Sequence, residues 1–342
     1  MNITIITLNI THNHNYNIRN TITDMTDTNY ERYAFLPIQN HKLIEFYHSQ
    51  KNCFWTPQEL HLEHDRKQFT SLPPNTQEFI KYVLCFFAQA DGIISDNLMH
   101  HFQAETSHIK EAAAFYAMQN CMETIHNETY SLLIEALITD PFEKQKAFNA
   151  IAHYPCIKMM SDWMIEWMNS DKSLCERVIA VACVEGIFFN GAFCAIYWLK
   201  RQNLLPGLCR ANELIARDEA IHTNFAVSLY HTLVNMNLEM NVSQETVHSI
   251  IRSAVMCCES FIRDALKVDL IGMKTDDMIQ YIQVTADHLI QAFGYDKIYN
   301  QSNPFQWMIM IGLQNKTNFF EHTVTTYEKV NETSEFDLDA EF

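Results

Sequence analysis

The chain is poor in the residues that bend a backbone, with 7 glycines and 8 prolines in 342 positions. A many-stranded sheet needs frequent tight turns, so this scarcity argues against one. Long stretches rich in Leu, Met, Ala, Glu and Gln between the sparse breakers point to helices instead. Positive charge is scarce too: 24 Lys and Arg stand against 41 Asp and Glu, a net charge of -17. Without clustered cations there is no surface for a phosphate backbone, which argues against nucleic acid as a partner. The 10 cysteines include no C-x-x-C pair, so neither a thiolate zinc site nor a redox couple is indicated. They read as reduced core thiols of a cytoplasmic protein. The N-terminus lacks the basic start, apolar run and small-residue cleavage site of a signal peptide.

What the chain does have is apolar bulk, 48% of its residues, enough for one large buried core. Asn, Thr and Ile make up 17 of the first 24 residues, and positions 1–29 read as a biased, disordered extension. Val178 to Leu199 is nearly all apolar and about the ~20 residues a bilayer needs. Glu185 in its middle makes a lipid-facing helix costly, whereas the centre of a large helical bundle also requires a helix apolar on every side. The expectation is therefore a buried helix and no membrane.

Asn75 and Glu78 have capping-box spacing, which predicts a helix from about Thr76 past Leu98. Further helical patterns cover about Ile109 to Ile138, Asp171 to Leu199, Arg210 to Val234, Gln244 to Leu270 and Thr275 to Phe293. Two halves echo each other. Asp91 precedes Glu123-Thr-Ile-His126 by 32 residues, and Glu185 precedes Glu219-Ala-Ile-His222 by 34.

E-x-x-H sets a carboxylate and an imidazole about 60° apart around a helix, so both can face one ion. The motif alone is weak, since Glu45/His48, Glu105/His108 and Glu245/His248 also match it. Glu123/His126 and Glu219/His222 differ in each following an apolar helix that carries a lone carboxylate. Four helices giving inward Glu or Asp, two of them adding His, is the recipe of an all-α, ferritin-like helical bundle with a two-metal carboxylate site. The ligands are then Asp91, Glu123, His126, Glu185, Glu219 and His222. Oxygen and imidazole donors suit iron or manganese, and four carboxylates balance two divalent ions. Tyr130 lies one turn beyond His126, at about 6 Å of axial rise, on the same stripe. Phe189 and Phe193, four and eight residues after Glu185, would wall that pocket or simply pack the core.

These residues resemble the small subunit of class I ribonucleotide reductase, of the eukaryotic and large-DNA-virus type. The likeness runs from about Phe54 to Phe342. Its motifs are Phe54-Trp55-Thr56, Phe86-Phe87-Ala88-Gln89-Ala90-Asp91-Gly92, Met122 to His126 with Tyr130-Ser131-Leu132-Leu133, Val184 to Phe189, Asn212 to Glu219, Asn303-Pro304-Phe305 and Lys316 to Glu321. The resemblance implies that two iron ions per chain use O2 to oxidise Tyr130 to a stable radical. It further implies a large catalytic subunit that draws on this radical to reduce ribonucleotides, with transfer through His126, Asp218, Trp55 and a tail tyrosine, Tyr327. A homodimer is implied as well. Residues 30–322 correspond to the di-iron domain and 323–342 to a flexible tail that docks on the large subunit through Phe336, Leu338 and Phe342. Asp218 can hold the free nitrogen of a ligand imidazole, as outer carboxylates do, or can as easily be a helix-surface charge. His61, Asp337 and Glu341 depart from the usual pattern but remove no ligand. Two rivals stand beside this reading: another di-metal oxidase on the same bundle, which needs a substrate cavity, and iron storage, which needs a hollow multi-chain shell.

Overall fold

The structure, a computed structural model, describes residues 33–305, 307 and 308, except 238, 239, 268, 269 and 271. The extension at 1–29 and the tail at 323–342 lie outside the described residues. Residues 33–38 belong to a separate N-terminal unit and form no helix or strand. From Gln39 onward the chain builds helices: α1 (His41–Asn52), α2 (Glu63–Ser71), α3 (Pro74–Asn97), α4 (Gln103–Glu105), α5 (Lys110–Leu137), α6 (Pro141–Phe148), α7 (Ala150–His153), α8 (Pro155–Met168), α9 (Leu174–Cys183), α10 (Phe189–Arg201), α11 (Pro206–Met236), α12 (Gln244–Ala265) and α13 (Thr275–Ala292). Among the described residues the only β feature is an isolated bridge between Leu270 and Met273. The all-helical expectation holds.

Caps explain several boundaries. Asn40 accepts the Leu43 amide to open α1, Asp140 accepts from Glu143 to open α6, and Ser173 with Glu176 forms a capping box at α9. Two expected starts were displaced. Helix α3 begins at Pro74, ahead of the anticipated Asn75 cap, because a proline in the first turn has no N–H to leave unsatisfied. Helix α11 begins at Pro206, four residues before the anticipated Arg210. Its first amides are capped from α2: Asp65 accepts from Gly207 N at 3.0 Å and from Leu208 N at 2.7 Å. A Cβ on Gly207 would sit 2.6 Å from the His61 carbonyl oxygen, so only glycine allows this approach.

The core joins α3 to α5, α11 to α9 and α10, and α12 to α8, α9 and α13. Phe86, Phe87, Phe102, Phe115, Phe188, Phe189, Phe193 and Phe225 are all fully buried within it. Each contributes about 1.5–3 kcal/mol by leaving water. Leu174–Arg201 is long and apolar enough to cross a membrane, its most apolar stretch reaching a mean hydropathy of 1.9, and 89% of that stretch is buried inside the fold. Its apolar surface is thus spent on protein contacts.

That stretch is not one regular helix. Between α9 and α10, Val184–Phe188 forms a π turn, and a second π turn, Leu98–Phe102, follows α3. Such wide turns inside helices recur at functional sites. The first of them carries Glu185.

Candidate metal centre

Four elements deliver acidic side chains to one place: α3 gives Asp91, α5 gives Glu123 and His126, the π turn gives Glu185, and α11 gives Glu219 and His222. All six residues are between 0% and 1% exposed. Donor atoms of Glu123, Glu185, Glu219 and His222 lie within 4.8 Å of one another. His126 joins them, its Nδ1 standing 2.9 Å from Glu219 Oε1 and 3.5 Å from Glu123 Oε2. His222 Nδ1 is 3.1 Å from Glu123 Oε1, 3.2 Å from Glu219 Oε2 and 3.7 Å from Glu185 Oε2. The Asp91 carboxylate faces the same charges, those of His126, Glu123, Glu219 and His222.

Many of these polar atoms have no hydrogen-bond partner. Both Asp91 oxygens and Glu185 Oε2 are buried and bare, while Glu123 Oε2, His126 Nδ1 and Glu219 Oε1 meet only one another. Native interiors leave few such groups, because each costs about 1–3 kcal/mol without compensation. A set of bare oxygens and an imidazole nitrogen converging in a dry interior fits a pair of hard or borderline cations and fits little else. We read the cluster as a candidate dimetal centre.

Without cations the cluster is electrostatically divided. Burial pushes the Asp91 and Glu185 carboxyls well above the usual range, with neighbouring carboxylates adding to the rise. Burial also acts to raise Glu123, but His222 and His126 beside it prevail and hold it at about 2. For both histidines burial favours the neutral ring, yet the surrounding carboxylates outweigh it and raise them well above their ordinary value. Protons thus occupy the positions that cations would neutralise.

A hydrogen-bonded line leads away from the centre. His126 Nε2 lies 3.2 Å from Asp218 Oδ2, and Trp55 Nε1 donates to the same oxygen at 2.7 Å. The Trp55 ring stacks near His126, 6.1 Å between centroids at 22°. Arg217 donates to the other Asp218 oxygen through Nε at 3.2 Å and Nη2 at 3.1 Å, and also to the Cys53 carbonyl. Burial alone would raise Asp218, but His126, Arg217 and Trp55 outweigh it and hold the carboxyl below its usual range. Asp218 is fully buried, not a surface charge.

Tyr130 is fully buried and its hydroxyl has no hydrogen-bond partner. Burial first, then the charges of Asp91, Glu219 and Glu123, push its phenol far above its ordinary value and keep it neutral. The ring stacked on it is Phe87, at 4.4 Å and 2°. Phe189 and Phe193 flank Phe87 at 5.3 and 5.1 Å. The sequence pointed to the two flanking rings and missed the stacked one.

Two further residues escaped the sequence reading. Gln119 donates to Glu185 and Glu123, and Arg217 clamps Asp218. Gln119 had a signal, being one turn before Glu123. The Arg217 signal was only its place beside Asp218. Of the remaining E-x-x-H pairs, Glu45, Glu105 and Glu245 are exposed and away from the cluster. Tyr327, Phe336, Leu338 and Phe342 lie outside the described residues.

Known proteins resemble this chain in sequence and fold. A family model described as "Ribonucleotide reductase, small chain" matches residues 32–304. The ribonucleoside-diphosphate reductase small chain of Nicotiana tabacum is 43% identical over 321 residues, 91% of this chain and 96% of that one. The small chain of Vaccinia virus (strain Ankara) is also 43% identical, spanning 92% of this chain and 98% of its own. Among solved structures, the Rnr4 homodimer of Saccharomyces cerevisiae ribonucleotide reductase superposes with a TM-score of 0.72 at 29% identity, covering 88% of this chain and 91% of that chain. The dimanganese(II) NrdF of Streptococcus sanguinis shares the fold at a TM-score of 0.70 and 17% identity, with coverage of 80% and 95%. Neither a storage shell nor an unrelated oxidase is named among these relatives. With a match over most of its length to proteins of plant and poxvirus origin, and a buried carboxylate and imidazole cluster at the centre of the shared bundle, the chain belongs to the ribonucleotide reductase small-chain family.

Proposed function

We infer that this chain is the radical-generating small subunit of a ribonucleoside-diphosphate reductase. The observation that carries the reading is the convergence of six buried donor residues beside a sealed, neutral tyrosine. Asp91, Glu123, His126, Glu185, Glu219 and His222 hold two ions per chain, their four carboxylates matching two divalent charges. When bound, an iron pair supplies the O2-dependent oxidation of a neighbouring phenol; manganese accepts the same donors.

The protein's own residues do the rest. Tyr130 gives up one electron and its phenolic proton to become the radical, and regains both when the oxidising equivalent is used. Burial under Phe87, with Phe189 and Phe193 behind it, keeps water and reductants away. Asp218 orients His126 through Nε2 and holds Trp55 at the start of the outward route. Phe54, next to Trp55, is half exposed, which supports an exit there. Tyr327 continues the route, and Phe336, Leu338 and Phe342 anchor the tail on the large catalytic subunit, where ribonucleotides are reduced.

The reading also assigns residues 30–322 to the di-iron domain, 1–29 to an extension and 323–342 to the docking tail. It places the protein in the cytoplasm as a homodimer, in keeping with ten free cysteines. Iron(II) and O2 added to the purified protein should give about two metals per chain and a tyrosyl signal by electron paramagnetic resonance. Reduction of ribonucleotides should require the large subunit. A Tyr130→Phe protein that kept both signal and activity would remove the tyrosine from its role.

A further inference from the structure

Gln119 is 2% exposed, yet it is neither a ligand nor a packing residue of ordinary kind. Its Nε2 donates to Glu185 Oε1 at 2.7 Å and to Glu123 Oε1 at 3.2 Å. The two carboxylates come from segments 62 positions apart in the chain, one on α5 and one on the π turn between α9 and α10. One amide nitrogen carries two hydrogens, so each carboxylate receives one. When both carboxylates are ionised to hold cations both are acceptors, and nitrogen, not oxygen, faces them. The complementary pattern is on the other side of each group: Glu185 Oε2 is buried with no hydrogen-bond partner, and Glu123 Oε2 meets only His126 Nδ1, at 3.5 Å.

We propose that Gln119 is a positioning residue that occupies one oxygen of Glu123 and one of Glu185, leaving the opposite oxygen of each for the cations. The inference rests on the dimetal reading of the cluster. Residue chemistry at this position supports it. An alkyl side chain would leave Glu185 Oε1 without a donor in a dry site and Glu123 Oε1 with His222 Nδ1 alone, at 3.1 Å. A lysine would add a positive charge to a set whose four carboxylates already match two divalent ions, and an acid would add repulsion. A neutral residue with two donors on one atom serves both carboxylates and leaves the charge balance intact. Gln119 lies on the same face of α5 as Glu123, one turn earlier, so the helix itself fixes its aim. Glu185, by contrast, rides on a π turn, and the shorter of the two bonds goes there.

The test uses the full-length chain with Gln119→Met, which keeps length and volume without a donor, and Gln119→Asn, whose amide is one methylene too short to span both carboxylates. Each is compared with the parent for iron stoichiometry, rate of iron release to a strong chelator, and the Mössbauer doublets of the two iron sites. Both variants should fold and take up iron, but hold it about 10–100-fold less tightly, the usual effect of losing a hydrogen bond to a metal ligand. Their two doublets should move relative to the parent as Glu185 changes its mode of coordination. Gln119→His, which restores an N–H, should recover part of the retention. Parent-like release and parent-like doublets in the Met or Asn variant overturn the proposal. Failure of both to fold also overturns it, since Gln119 would then serve the fold and not the cations. If the parent chain itself binds no metal pair, it is the dimetal reading that fails, whatever the variants do.

Discussion

Trp55 and Asp218, 163 positions apart in the chain, share a 2.7 Å hydrogen bond in the interior, and the oxygen that accepts it is the one nearest His126 Nε2. One carboxylate oxygen therefore couples the indole to the rim of the metal cluster. Arg217 holds the second oxygen, so Asp218 has little freedom to turn.

Replacing Trp55 with Phe removes the donor and the oxidisable indole but keeps an aromatic ring in the same buried place. Metal content and the Tyr130 signal should stay at parental levels, while ribonucleotide reduction with the large subunit falls to background. Steady-state assay beside the paramagnetic resonance spectrum checks this. Retained turnover would mean the equivalent leaves by another way.

Phe87 is stacked flat on Tyr130 and is fully buried. Phe87→Ala should cost about 3–5 kcal/mol of stability by opening a cavity in the core. The same opening lets small reductants reach the phenol, so the radical should decay faster. Urea denaturation reads the first effect and the time course of the radical signal the second.

The metal-free protein should become less stable as pH rises. Asp91 and Glu185 have folded-state values raised by burial, and His126 and His222 are raised by carboxylates despite burial. All four hold protons in the folded state that the unfolded chain has released, so stability falls with pH from the carboxylate range upward. Glu123, held at about 2, acts oppositely, adding stability as pH climbs from there to the ordinary carboxylate range. Melting temperature of the metal-free chain should therefore drop between roughly pH 5 and 8, across the ordinary carboxylate and histidine ranges. Glu185→Gln should flatten that drop and weaken metal uptake. An unchanged slope would show that Glu185 is not protonated in the metal-free fold.

Gly207→Ala should destabilise the start of α11, because the added methyl would sit 2.6 Å from a backbone oxygen of His61. The cost is about 1–3 kcal/mol, the range for forced overpacking. A lowered melting temperature with metal content intact is the expected outcome, and a neutral effect would mean that the segment around His61 moves aside freely.

The long helices and the ligand set were legible because both depend on local periodicity. Glu123 and His126, or Glu219 and His222, lie three apart on one helix, and the apolar residues around them mark the inward face. Asp91 and Glu185 were legible as charges with no business in such apolar surroundings. What escaped depends on contacts between distant segments. The start of α11 is set by Asp65 on α2, which nothing near Pro206 announces. The stacking of Phe87 on Tyr130 joins α3 to α5, and a sequence rich in buried phenylalanines cannot say which one lies flat on the phenol. Helices α1, α2 and α8 are short and fall in stretches of mixed pattern, where the apolar period is too brief to stand out.

The π turn at Val184–Phe188 shifts the helical phase by one residue, so α9 and α10 present faces that a continuous helix would place about 100° apart. A single deletion inside the turn would restore a regular spiral and swing Glu185 or everything after it out of alignment. The segment is in effect a built-in spacer: it lets one uninterrupted apolar rod offer an acid to the centre and still pack its second half against α11 and α13. Amide hydrogen exchange should find this spacer opening sooner than the regular turns on either side, even though it lies at the heart of the molecule.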